Sequence, residues 1–192
     1  MTTHEIRTKL ARIFRDYVDT YQRLSDRDYK DYLITLPPGA RTPMKGKFFS
    51  DEYRDMFAEK CYSCREEATA VINDAIKQIR IKKAEAPADS TMNYLSLLKE
   101  KIDLNEYDIN GALDLYGDNY SAYNAIKALA TSRDILSVDD SALDQLERGL
   151  AEDIQPFFNK LTVFNAENGH ATESIADMFE AIALRDLPDA TF

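Results

Sequence analysis

The sequence contains no tryptophan, only two cysteines and two histidines, and six residues each of glycine and proline among 192. Each shortage removes a class of protein. So few turn-formers cannot punctuate a many-stranded β fold, which needs a turn roughly every 8–12 residues. Two cysteines do not make a disulfide framework in a chain of this length, so the reducing cytoplasm is the expected compartment. Long apolar runs are also missing. Ala181-Ile182-Ala183-Leu184 is typical of the longest, whereas a membrane-crossing helix needs about 20 such residues. The opening stretch MTTHEIRTKLARIF has no apolar leader core followed by a cleavage site. No membrane partner is expected.

What the sequence does have is charge, unevenly spread. Residues 1–86 carry 17 Lys+Arg and 14 Asp+Glu, a net of +3, whereas residues 87–192 carry 7 and 20, a net of −13. Such asymmetry suggests two units with different electrostatic roles. The acidic half repels nucleic acid and steers toward basic partners. The sequence pI near 4.7 lies far from the range above about 9 expected of a nucleic-acid-binding domain, so no nucleic-acid partner is expected.

The apolar residues recur with helical spacing. Ile6, Leu10, Ile13, Tyr17 and Leu24 mark a coiled-coil seam over 3–34, with Thr20 at its weak position and Phe14, Val18 and Tyr21 widening the stripe. Thr3 is the expected cap. Pro37, Pro38 and Pro43 end that helix, and the loop 36–48 carries Arg41, Lys45 and Lys47 and no acid. A second helix is expected from Ser50 to Ala86, a stretch free of glycine and proline. Its seam is Phe57, Cys61, Cys64, Ala68, Val71 and Ala75, flanked by Ile72, Ile76 and Ile79. Two long helices joined by a modest loop form an antiparallel hairpin. Pro87 closes this unit. Shorter helices are expected over 92–103, 105–116, 120–133, 139–164 and 170–185, with Gly117 at a helix end and Pro156 kinking or splitting the fourth. The predicted fold is all-α: a long antiparallel helical hairpin over 1–86, then a compact acidic helical bundle over 90–192.

Four stretches imitate chemical motifs. Cys61 and Cys64 are spaced C-x-x-C, but they lie about three turns inside a helix, among Glu59, Glu66 and Glu67. A redox pair sits at a helix N-terminus, where the dipole lowers the thiol pKa, and nearby acids raise it instead. Both cysteines also fall on the apolar seam, as structural thiols do. A site built from two cysteines of each of two chains stays open. Residues 106–117, EYDINGALDLYG, place Glu106, Asp108, Asn110, Gly111 and Asp114 near calcium-loop positions, but Gly117 stands where a bidentate Glu belongs. A helix capped by Asn105 explains the same residues. GARTPMKGKF lacks the glycine spacing, the preceding strand and the Ser or Thr of a phosphate loop. His170 and Glu173 could start a metal site, but a di-metal bundle needs a second such pair. No cofactor, metal or catalytic residue is assigned.

The stretch HEIRTKLARIFRDYVDTYQ, followed by the long charged helix with EEATAVINDAIKQIRIKKAE, resembles the coiled-coil openings of small helical proteins of bacterial prophages, some of them scaffold-like and associated with virion assembly. The resemblance covers about the first 86 residues and implies a self-associating structural role. Two expectations follow. The first is a non-enzymatic interaction protein that is homo-oligomeric or binds another protein through Tyr53, Phe57, Cys61, Cys64, Val71, Ile72 and Ile76. The second is an acidic binder, like a DNA-mimic inhibitor, that masks a basic partner.

Overall fold

The computed structural model describes residues 1–45, 48–161, 179–180 and 184–192. Among these, the regular structure is helical throughout, apart from one antiparallel bridge between Thr2 and Thr191. The expected helix over 170–185, with Ile175, Met178 and Ile182, falls largely outside the described residues, and so do His170 and Glu173.

Helix α1 spans Thr3–Thr35. Its cap is Thr2, not Thr3: the Thr2 hydroxyl accepts from Glu5 N at 3.2 Å, and the Glu5 carboxylate accepts from Thr2 N at 2.8 Å. Thr3 is drawn away by a tertiary partner. Buried, its hydroxyl donates to Pro188 O at 2.9 Å and accepts from Ala190 N at 2.9 Å. The helix stops where Leu36 turns extended ahead of Pro37. Helix α2 spans Asp51–Lys83 and ends on Arg80, Lys82 and Lys83, three residues short of the expected Ala86. These cations complement the negative end of the helix dipole.

The two helices run antiparallel. The buried Cys64 Sγ approaches Ile13 O at 4.0 Å, the Tyr17 and Phe57 rings lie 5.1 Å apart, and Phe49 N donates to Asp28 at 2.6 Å. On α1, Ile13 meets Cys64 and Tyr17 meets Cys61 and Phe57, and the buried α2 stripe stays small at Ala68 and Ala75. Small opposite large lets the backbones approach and the interface fill.

Helices α3 (Asp89–Glu100), α4 (Glu106–Tyr116) and α5 (Tyr120–Ser132) gather round a separate core of Leu98, Ile109, Ala112, Ile126 and Ala130. Asn105 caps α4 as expected, accepting from Tyr107 N and Asp108 N. Gly117 follows α4 in right-handed geometry rather than as a left-handed cap. Helix α3 begins earlier than expected, after Ala88, with no side chain capping it. Helix α6 (Ala142–Arg148) runs through a π-helical turn, Gly149–Ile154, into α7 (Gln155–Asn159). The expected break at Pro156 takes this form. A proline has no N–H to give to a carbonyl one turn back, and the preceding turn widens instead.

The cores divide the chain differently from the expected 1–86 and 90–192. Leu143, Leu146, Leu150, Ile154, Phe158 and Leu161, with Phe179, Leu184 and Leu187, bury themselves against α1 and α2. Only the stretch 89–138 stands apart as a lobe. No helix of the described residues is long and apolar enough to cross a membrane.

Candidate interaction surface

The seam residues expected to meet a partner are largely consumed inside the chain. Phe57, Cys61, Cys64 and Ile72 are buried, and Tyr53, Val71 and Ile76 are half-buried against the same core. The burial follows a helical period, with Ile72 and Ile79 inside, rather than the strict heptad that would put Val71 on the axis. Helix α7 then caps the seam. Phe157 meets Phe14 edge-on at 5.2 Å and stacks on Phe179 at 4.3 Å. The two cysteines are free thiols. Burial pushes the Cys61 thiol up to about 11 and the Cys64 thiol up to about 12. Thiols held that high are protonated and poor nucleophiles at neutral pH.

An ionic junction ties α2 to α6, and the lobe reaches it through Tyr120. Lys83 Nζ, at the end of α2, donates to Asp144 at 2.6 Å and to Glu147 at 2.7 Å on α6. Arg80 Nε reaches Glu147 at 2.8 Å. Tyr120, the first residue of α5, donates its hydroxyl to Asp144 at 3.0 Å, and its ring lies under Lys83 at 5.1 Å. Burial alone would raise the Asp144 and Glu147 carboxyls. Hydrogen bonds from Lys83 to both, from Ser141 and Tyr120 to Asp144, and from Arg80 to Glu147 outweigh it and hold both below their ordinary values. Beside them, Arg148 and Lys127 hold the Asp140 carboxyl down at about 2. Every cation here faces a carboxylate, so the network binds helices to each other.

A C-terminal strap crosses the start of α1. Arg7 donates from Nε to Leu184 O at 2.8 Å and from Nη2 to Arg185 O at 3.2 Å and to Leu187 O, and its Nη1 pairs with Asp189 at 2.8 Å. Between this strap, α5 and α6 lies an open cleft of about 920 Å³, with His4, Lys82, Tyr123 and Ser141 on its walls. Its charges are mixed and partly paired, as Arg7 with Asp189 shows.

Residues 106–116 are helical throughout. Alternate residues on a helix point about 200° apart, so Glu106, Asp108 and Asn110 do not converge as calcium ligands would. Asp108 instead bonds Lys101 at 2.6 Å and Asn105 N at 3.1 Å. No group of His, Cys, Asp and Glu among the described residues is arranged to hold a metal ion.

The apolar residues left outside are the informative ones. Helix α3 stops at Glu100, short of the expected 103, and leaves Ile102 90% exposed in the turn. Tyr107, on the first turn of α4, is 89% exposed, and Met92, Leu97 and Leu115 are exposed on the same lobe. Around them, residues 89–118 carry two lysines against seven acids. At the far end of the molecule, the hairpin tip exposes Ile34 and Met44, each 84%, beside Arg41 and Lys45. Sequence reasoning passed over the lobe face, although Tyr107 and Leu115 fall off the α4 stripe of Ile109, Leu113 and Tyr116 and signalled it. The chain matches no family model, no curated protein and no solved structure.

Proposed function

We propose that this chain is a non-enzymatic helical interaction protein whose docking face is the acidic, apolar outer surface of the α3–α4 lobe, taking a basic amphipathic protein segment. The observation that carries this reading is the near-complete exposure of Ile102 and Tyr107, at 90% and 89%, within a stretch of net charge −5. Burying a large apolar side chain is worth roughly 1.5–3 kcal/mol. Several such side chains in one lobe support association, while the carboxylates around them favour a basic partner and speed the encounter. The reading joins the two sequence expectations, a helical interaction protein and an acidic binder. It moves the contact away from the α2 seam, whose residues are engaged in the chain's own core. A structural role in phage-type assembly, implied by the resemblance of residues 1–86, is compatible with it.

The test is calorimetric titration with an amphipathic Lys/Leu peptide and, as control, a Lys/Ser peptide of equal charge, at low and high salt. The Lys/Leu peptide is expected to bind more tightly than the control, more weakly as salt rises, and about tenfold or more weakly to the Ile102→Ser/Tyr107→Ser variant. Equal affinity for the two peptides, or for wild type and variant, would sink the reading.

A further inference from the structure

We infer that the partner of the lobe is a second copy of this chain, the basic hairpin tip of one copy seating on the acidic α3–α4 lobe of another. This rests on the lobe being a docking face, as proposed above. The chain carries the complement of its own lobe. Ile34 and Met44 are as uncovered as the lobe residues, at 84% each, and the sequence from Leu33 to Lys45 contains two cations and no acid. The tip is also pre-shaped. Pro37, Pro38 and Pro43 restrict its backbone, and Gly39 takes the left-handed conformation with φ at 82°. Lys45 pairs with Asp26 at 2.9 Å, so Arg41 is the chief charge the tip brings to an acidic face. Its base is fixed where the Tyr32 and Phe49 rings stack at 4.3 Å and Phe49 N donates to Asp28 at 2.6 Å. A loop already ordered loses little freedom on docking.

The geometry forbids a copy from satisfying itself. The tip joins the end of α1 to the start of α2, and the lobe follows the end of α2. The 33 residues of α2 separate them by about 50 Å at 1.5 Å per residue. The two faces are different surfaces, so the contact between copies is heterologous: each copy offers one tip and one lobe. Both faces are small, so the association is weak and concentration-dependent, and screening makes it weaker in salt.

The experiment is light scattering of three proteins across concentration: wild type, a lobe variant (Ile102→Asp/Tyr107→Asp) and a tip variant (Ile34→Asp/Met44→Asp). All four positions are exposed, so helical circular dichroism should stay that of the wild type. Wild type is expected to rise above 21.9 kDa with concentration and to fall back toward it in high salt. Each variant alone should stay monomeric. Their equimolar mixture should give a one-to-one dimer, since each supplies the face the other lacks. A wild type that stays monomeric at the highest soluble concentration would overturn the inference while leaving the lobe free to bind a different basic partner. A tip variant that associates like wild type, with a lobe variant that does not, would also overturn it, pointing to lobe-on-lobe contact. A mixture that remains monomeric would do the same.

Discussion

Cys61 and Cys64 show how location decides what a motif means. The C-x-x-C spacing is that of a redox pair, but the side chains face the α1 seam, and burial lifts both thiols, to about 11 and about 12. A disulfide reagent at pH 8 should therefore label native protein only as fast as the hairpin opens, and should count two thiols per chain after denaturation. Rapid labelling of folded protein would show an accessible pair instead. The α6 carboxylates that meet the end of α2 give a second prediction. Asp144 and Glu147 have folded pKa values below their ordinary ones. Their stabilisation is therefore complete above the ordinary carboxylate range and is lost as pH falls through the lowered values. The Asp144→Asn/Glu147→Gln variant leaves the Lys83 charge facing two neutral amides in place of its two carboxylates. It should be less stable than wild type by about 2 kcal/mol at pH 7, the scale of lost charge-assisted hydrogen bonds. The gap should shrink steadily in thermal melts taken below about pH 4. A gap independent of pH would mean that packing, not ionisation, holds the junction.

At the scale of elements, the strap across α1 depends on one guanidinium. Arg7 spans three carbonyls and one carboxylate from Leu184 to Asp189. Replacing it with Met keeps the stem but removes the donors. The amides of Ala190 and Phe192, which donate to Thr3 Oγ1 at 2.9 Å and to Met1 O at 2.9 Å, should then exchange with deuterium at least tenfold faster. Unchanged protection in Arg7→Met would mean that Thr3 and the burial of Leu187 suffice. The contact is also a measure of what the sequence can reveal. Periodicity located α1, α2, α4 and α5 to within a few residues because one buried stripe repeats along each of them. It could not show that Thr3 and Arg7 meet residues about 185 positions away, since no local pattern encodes a partner so distant. The same limit explains the misplaced cap and the division of the acidic half. Leu143, Leu146, Leu150 and Ile154 recur with helical spacing and are buried, but a stripe does not name the surface it covers. The candidate docking face was the least legible feature of all. Exposure of Ile102 follows from where α3 stops, and helix ends are the weakest part of any periodic reading, whereas Tyr107 lies off the buried stripe of α4.

At the scale of the whole molecule, the two cores are unequal, and this sets the order in which the fold gives way. The main core draws on α1, α2, α6, α7 and the strap, with Ile6, Leu10, Phe57, Ile72, Leu146 and Phe158 all buried. The lobe core has only Leu98, Ile109 and Ile126 as large buried side chains, with Ala112 and Ala130 between them. The residues packed round them, Tyr94, Leu95, Leu104, Leu113 and Leu129 among them, are only half-buried. The lobe therefore leans on its junction with α2 and α6, where Asn119 Nδ2 reaches Glu85 O at 3.3 Å and Tyr120 reaches Asp144. An Ile126→Ala change, at the centre of this small core, should cost about 2–5 kcal/mol. Hydrogen exchange should then show residues 89–138 losing protection while α1 and α2 keep theirs, as expected of a sub-global unit. Leu146→Ala, in the main core, should instead lower protection in α1, α2 and the lobe together, because the lobe is docked on elements that core supports. If Ile126→Ala loosened α1 and α2 as much as the lobe, the chain would be one cooperative unit. The docking face on α3 and α4 would then be as rigid as the hairpin.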